Sequence, residues 1–234
     1  MASTTELADR PELDIRKDMI RVCLRMVELG INQGTAGNVS VRRGERFLVT
    51  PSAIPYEEMK PEQIAEMDYD GRYAGPSPPT SEWRFHREIM RRRPDAGAVI
   101  HTHSVYSTAI ACLRRDLPAL HYYIVAAGGP NVRCATYATF GTQELAENAV
   151  DALVDRNACL LANHGMIVLG ANLAEALKRT FDLELVARQY IYASQIGEPF
   201  ILADDEVERV RVKMKDYGRG QDDELARIDR PFPQ

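Results

Sequence analysis

The segment Leu160-Leu161-Ala162-Asn163-His164-Gly165-Met166-Ile167-Val168-Leu169 sets two apolar runs on either side of an Asn-His-Gly triplet. Asn and Gly tolerate the backbone of a tight reversal, and short apolar runs suit buried strands, so the spacing predicts two strands with His164 at their turn. A second unit of this kind lies upstream. Asn38-Val39-Ser40-Val41-Arg42 and Phe47-Leu48-Val49-Thr50, parted by Arg43-Gly44-Glu45-Arg46, alternate as the two arms of a hairpin. Ala96-Gly97-Ala98-Val99-Ile100-His101 reads as a buried strand. Hairpin-type links recur without regular alternation of strand and crossover helix. The fold expected is therefore α/β, a single domain over residues 1–234 with a mixed, mostly antiparallel central sheet covered by helices.

The remaining elements follow from periodicity. Ile15, Met19, Ile20, Cys23, Met26 and Val27 recur at helical spacing between Leu13 and Leu29, and Gly30 ends the pattern. Further helices are expected over Thr80–Arg93, Ser104–Leu113, onward from Thr142, over Ala171–Ile196 and over Ala203–Tyr217. Glu57 to Glu66 reads as a short connecting helix, Met67–Arg72 as a strand running into a turn, and His121–Ala126 as a strand. Gly75-Pro76-Ser77-Pro78-Pro79 is too short for a domain linker and reads as a rigid lead-in to the next helix. Residues 1–12 and 220–234 are expected to be flexible termini.

Composition narrows the function. The net charge of −5 and the scattering of the 29 basic residues leave no basic stripe, which argues against a nucleic-acid partner. Arg91-Arg92-Arg93 suits the solvated C-terminal end of a helix. An apolar signal core is missing from the first residues and no apolar run is long enough to span a bilayer, so a cytoplasmic protein without a membrane partner is expected. Cys23, Cys112, Cys134 and Cys159 show no CxxC spacing and sit mostly among apolar neighbours, as buried thiols of a reducing compartment do.

In Val99-Ile100-His101-Thr102-His103 the two-residue period of a strand puts His101 and His103 on one face. Two imidazoles can then converge on one ion, and His164 is the candidate third ligand. Three histidines with one exchangeable position are a common catalytic zinc arrangement. His86 and His121 are left outside this set. Glu82, in Thr80-Ser81-Glu82-Trp83, opens a helix, where a carboxylate complements the dipole; beside a metal it can also ligate at rest and act as acid or base. Gly34-Thr35-Ala36-Gly37-Asn38 leads into a strand rather than a helix, which excludes the usual nucleotide-binding fingerprints. Its glycines can still turn backbone N–H groups toward an anion, and Thr80-Ser81 adds hydroxyls at a helix N-terminus.

Gly30 through Ser40, Ser81-Glu82-Trp83-Arg84-Phe85-His86, the His101/His103 pair and Asn163-His164-Gly165, in this order, resemble the class II aldolase/adducin family. Ile54-Pro55-Tyr56-Glu57, His121-Tyr122, Ala126-Ala127-Gly128-Gly129 and Tyr137 through Thr142 are most similar to its fuculose-1-phosphate aldolase branch, with likeness from about residue 13 to 219. The resemblance implies Zn2+, with Co2+ or Mn2+ as substitutes, on His101, His103, His164 and Glu82, and Glu82 as acid/base. It implies phosphate contacts at Gly37, Asn38, Ser52, Thr80 and Ser81 and a substrate pocket at Asn32, Thr35, Phe140 and Tyr217. Tyr122 would come from a neighbouring subunit of a homotetramer, with active sites at subunit interfaces. The implied reaction is reversible cleavage of a ketose 1-phosphate, L-fuculose 1-phosphate or a deoxy- or methylthio-pentulose 1-phosphate, to dihydroxyacetone phosphate and a small aldehyde. Ser52-Ala53 in place of a Thr-Gly pair, Thr80 in place of Ser and a divergent tail beyond Tyr217 are departures from the family pattern. The five lysines all lie in polar contexts, which argues against imine chemistry. A pentulose-5-phosphate 4-epimerase, whose family pattern has Asp where this chain has Glu82, a sugar-acid-phosphate decarboxylase and a non-catalytic adducin-like assembly module remain alternatives.

Overall fold

The structure is a computed structural model and describes residues 11–215. Of the flexible termini expected at 1–12 and 220–234, residues 1–10 and 220–234 lie outside the described residues, as does Tyr217, whereas Glu12 already begins the first helix.

The chain runs through helix α1 (Glu12–Glu28), strands β1 (Asn38–Arg43), β2 (Arg46–Val49), β3 (Ala65–Asp68) and β4 (Tyr73–Ala74), helix α2 (Trp83–Arg92), strand β5 (Ala98–Thr102), helix α3 (Val105–Cys112), strands β6 (Leu117–Pro118) and β7 (Asn131–Ala135), helix α4 (Gln143–Ala152), the hairpin β8 (Ala158–Leu161) and β9 (Gly165–Gly170), and helices α5 (Leu173–Ile196) and α6 (Asp204–Lys215). The strands form one sheet in the order β4-β3-β2-β1-β5-β9-β8-β7-β6. Only β7 and β8 pair in parallel; the other named pairs are antiparallel. A mixed, mostly antiparallel sheet covered by helices is thus what folds.

The two faces follow the strand period. Phe47, Val49, Val99, Cys159, Leu161, Ile167 and Leu169 point to the side where Phe85, Ile89 and Met90 of α2 and Leu145, Ala146 and Ala149 of α4 pack. Their neighbours Val39, Val41, Leu48, Ala98 and Ile100 point the other way, into α1 and the start of α5. Ala158, Leu160, Met166 and Val168 share that second face under α3, α5 and α6. Each alternation buries both sides of the sheet, so register is tightly specified.

Three expected elements differ. Glu57–Glu66 holds no α-helix: only Pro61–Gln63 turn, as a 3-10 segment, and Ala65 already begins β3. Pro61 holds Lys60 extended (φ −106°, ψ 149°), which a helix interior would not allow. His121–Ala126 is not a strand. The His121 side chain accepts from Tyr123 N–H, Tyr122–Ala127 coils as a 3-10 helix, and Gly128 at φ 81° ends it. Thr80–Arg93 becomes helical only at Trp83, because Pro79 and Thr80 are held extended: Pro51 bridges Pro79, and Thr80 N–H donates to Thr50 carbonyl at 2.9 Å. Among the described residues no helix is long and apolar enough to cross a membrane.

Candidate metal centre and active site

Centrally placed β5 positions the site. His101 is its penultimate residue, fully buried, paired with Asn38 on β1 and Ile167 on β9. His103 stands one residue past the strand end, and its backbone N–H is 3.4 Å from the Asn32 side-chain oxygen. His164 comes from the β8–β9 turn, where Asn163 takes the left-handed conformation (φ 55°) and His164 N–H donates to Leu161 carbonyl. The three rings form a near-equilateral triangle with centroids 4.8–4.9 Å apart. One ligand atom from each lies within 4.8 Å of the others. Gly165 makes this possible. A Cβ there would sit 2.5 Å from the Thr102 carbonyl, 3.0 Å from His103 Cδ2 and 3.2 Å from His101 Cε1.

Glu82 is the residue before α2, yet its carboxylate caps no helix N–H. Instead Oε2 accepts from Asn38 Nδ2 at 2.9 Å and lies 3.3 Å from His101 Nε2, while Oε1 lies 3.1 Å from His164 Nε2 without completing a hydrogen bond. His101 Nδ1 faces the Met166 carbonyl at 3.1 Å. A carbonyl only accepts, so Nδ1 carries the proton and Nε2 offers a bare lone pair. That lone pair faces both Glu82 and His103 Nε2, the latter at 3.1 Å. Lone pairs and a carboxylate converging in a buried space are what a divalent cation satisfies, and three imidazoles with a carboxylate suit a zinc-type ion.

The electrostatics agree. Burial pushes His101 down to about 3 against the opposing pull of Glu82, and burial lowers His103 as well, so both imidazoles are neutral and ligand-competent near pH 7. For Glu82, burial favours the neutral acid, but the facing His101, His164 and Asn38 outweigh it and hold the carboxyl at about 2.

A cavity of about 370 Å³ opens on this cluster, lined by Ala36, Ser81, Glu82, His103, Tyr137, Ala138, Phe140, Asn163 and His164. This volume falls within the range of small-molecule sites. Of the residues expected at a phosphate, Ser81 lines this cavity. The β1–β2 register, continued by Thr50 N–H to Val39 carbonyl, sets Gly37 opposite Ser52, and Ser52 N–H donates to Pro78 carbonyl beside Thr80. Gly37, Asn38, Ser52, Thr80 and Ser81 therefore share one end of the sheet. Gly37 also has a packing reason, since a Cβ would lie 2.6 Å from His101 carbonyl and 2.9 Å from the Asn32 amide.

Other expected site residues fall elsewhere. Asn32 is buried behind the cluster, donating to Tyr56 Oη at 3.0 Å and accepting from Thr102, while Thr35 is exposed on the loop before β1. Phe140 is exposed at the cavity rim, where Arg84 donates to Gly141 carbonyl at 2.7 Å and anchors the loop. Tyr122 is exposed, stacks on His121 and does not line the cavity of its own chain. Sequence reasoning missed Asn163, whose side chain accepts from Arg114 Nε at 2.9 Å beside Tyr137. It also missed His86, the buried partner of the Asn38 side-chain oxygen, and Ser40, which bonds His86 in turn.

The sequence profile of the class II aldolase and adducin N-terminal domain matches residues 17–191. A 5-methylthioribulose-1-phosphate/5-deoxyribulose-1-phosphate aldolase of Rhodospirillum rubrum is 48% identical over 204 residues, 87% of this chain and 92% of that protein. The L-fuculose phosphate aldolase of Escherichia coli K12 is 45% identical over 205 residues, covering 87% and 95%. A solved L-fuculose 1-phosphate aldolase superposes with a TM-score of 0.84 at 41% identity, covering 86% of this chain and 96% of the other. On the strength of that profile match and these relatives, this chain belongs to the class II aldolase/adducin family.

Proposed function

We propose that this protein is a metal-dependent aldolase that reversibly cleaves a ketose 1-phosphate, L-fuculose 1-phosphate or a 5-deoxy- or 5-methylthio-pentulose 1-phosphate, to dihydroxyacetone phosphate and a small aldehyde. One observation carries the reading: an ionised Glu82 and buried imidazole lone pairs converge at the floor of a cavity of sugar-phosphate size. His101, His103, His164 and Glu82 would hold a Zn2+, for which Co2+ or Mn2+ could substitute. The cation supplies Lewis-acid stabilisation for the negative charge that develops on the cleaved ketose half.

The protein's own groups do the rest. Backbone and hydroxyl groups of Gly37, Ser52, Thr80 and Ser81 hold the phosphate and so fix where C3 lies. Tyr122 of a neighbouring copy in a homotetramer, acting as the phenolate, takes the C4 hydroxyl proton as the C3–C4 bond breaks and the C4 carbonyl forms. Glu82, which takes up a proton from water as the ketose binds, delivers it to C3 and completes dihydroxyacetone phosphate; the proton on Tyr122 then returns to water. The exposure of Tyr122 outside its own cavity supports a role at a neighbour's site. Phe140 lines the end where the aldehyde leaves.

An assay in the aldol direction tests the proposal. Dihydroxyacetone phosphate is paired in turn with lactaldehyde, acetaldehyde, glycolaldehyde and methylthioacetaldehyde. A ketose 1-phosphate from at least one pair is expected. No product from any would refute the aldolase reading and turn attention to epimerase or decarboxylase chemistry.

A further inference from the structure

Beneath the site a polar chain reaches Glu82 through side chains that the proposed reaction does not use. Ser40 and Asn38 alternate along β1 with Val39 and Val41, which belong to the opposite core. By the strand period the two polar residues point toward α2, where Ser40, His86 and Asn38 are 0%, 0% and 5% exposed. Ser40 Oγ is 2.7 Å from His86 Nδ1, His86 Nε2 is 2.6 Å from Asn38 Oδ1, and Asn38 Nδ2 is 2.9 Å from Glu82 Oε2. Every link has one consistent polarity. Ionised Glu82 only accepts, so the Asn38 amide must present its N–H to it and its oxygen to His86. His86 must therefore donate from Nε2, which leaves Nδ1 to accept the Ser40 hydroxyl.

We propose that His86 is a positioning residue: by holding the Asn38 amide in a single orientation it fixes the Glu82 carboxylate for cation binding and proton transfer. The inference rests on the aldolase reading for the proton transfer and on the histidine cluster alone for the cation. Without the His86 N–H, the buried Asn38 oxygen is left with no donor and the hydrogen bond to Glu82 alone holds the amide. An amide pinned at one end can tilt, and the Glu82 carboxylate then loses its fixed position beside His101. An apolar residue in place of His86 would fill the same helix–sheet gap equally well as packing. A fully buried imidazole that burial drives down to about 3 is a costly choice unless its donor is used.

The test titrates the metal-free full-length chain with Co2+ and follows its visible absorption, alongside kcat and KM of the loaded enzyme. His86→Leu removes the donor. Outer partners of metal ligands typically matter about 10–100-fold, so Co2+ affinity is expected to fall by roughly that factor, with kcat down at least about tenfold and KM for the ketose phosphate nearly unchanged. His86→Gln keeps an N–H toward Asn38 and is expected to restore affinity, spectrum and kcat to within about threefold of wild type. A folded Leu variant with wild-type Co2+ affinity and spectrum, or a Gln variant as impaired as Leu, would overturn the proposal. If the Leu variant does not fold, Ser40→Ala carries the test by removing the hydroxyl that sets the His86 tautomer. It is expected to weaken Co2+ binding at least about threefold, and unchanged binding would equally overturn the proposal. Cobalt binding is read without substrate, so a failure of the aldolase reading leaves this outcome separately legible.

Discussion

Gly165→Ala puts one methyl group at the point where the hairpin turn meets the end of β5. The new Cβ would stand 2.5 Å from the Thr102 carbonyl oxygen, against a contact of about 3.5 Å or more that carbon normally requires. The obstacle on that side is backbone, held in the β5–β9 ladder by the pairing of Thr102 with Met166, so it cannot rotate away. The other contacts are the rings of His103 at 3.0 Å and His101 at 3.2 Å. Relief must therefore come from moving β9 and the turn by about 1 Å, which carries His164 away from the other two imidazoles. Overpacking of this kind costs about 1–3 kcal/mol. In a chain of this length each kcal/mol lowers Tm by roughly 2–4 °C. Scanning calorimetry of the metal-free protein measures that component. Zn2+ competition against a chromophoric chelator measures the other, an expected loss of at least about tenfold in affinity, because a shift of this size leaves ligand distances outside tolerance. A Gly165→Ala protein with wild-type Tm and wild-type Zn2+ affinity would refute the claim that the missing side chain lets the cluster close.

Tyr122→Phe should lower kcat by about 100-fold or more, as loss of a general acid/base does, with metal content unchanged by elemental analysis; an unaltered rate would remove Tyr122 from the reaction. Phe140→Ala should change the relative kcat/KM for lactaldehyde and methylthioacetaldehyde by an amount equivalent to about 1–3 kcal/mol while sparing dihydroxyacetone phosphate binding; an unchanged preference would place aldehyde selection elsewhere. Acid should destabilise the fold through His86, whose ordinary value of 6.5 is lowered to about 3. Above pH 6.5 both states are neutral and the group has no effect. Below it the unfolded chain takes up the proton first, so stability falls with falling pH until about 3, by about 1 kcal/mol between pH 6.5 and 5.5. Urea midpoints at pH 7 and 5.5 should show this loss in wild type and a smaller one in His86→Gln; equal losses would contradict it.

The sheet was legible because its central strands obey simple rules. Val39/Val41 and the β8–β9 runs bury alternate sides, and Asn163-His164-Gly165 carries the residues a tight turn needs. Misreadings fell where local chemistry outweighed composition. The apolar run Tyr122–Ala127 suits a strand until His121 caps it and Gly128 ends it as a 3-10 turn. Asn131–Ala135 lacks an apolar stripe, and its strand character comes from pairing with β8. The histidine set was visible because His101-Thr102-His103 spaces two ligands two residues apart. The third ligand depended on tertiary structure, which brings His164 back over the end of β5. Ser40 and His86 were hidden for the opposite reason. A polar residue alternating with valines looks like a solvated strand face, and only the packing of α2 shows that this face is covered.

Solvent exchange of the C3 proton of dihydroxyacetone phosphate, followed by NMR in D2O without any aldehyde, isolates the step given to Glu82. Wild-type protein loaded with Zn2+ should exchange one of the two C3 protons, and Glu82→Gln should lose this exchange by about 100-fold or more even at Zn2+ concentrations that saturate the variant. Exchange at the wild-type rate in a metal-loaded Glu82→Gln protein would contradict the account.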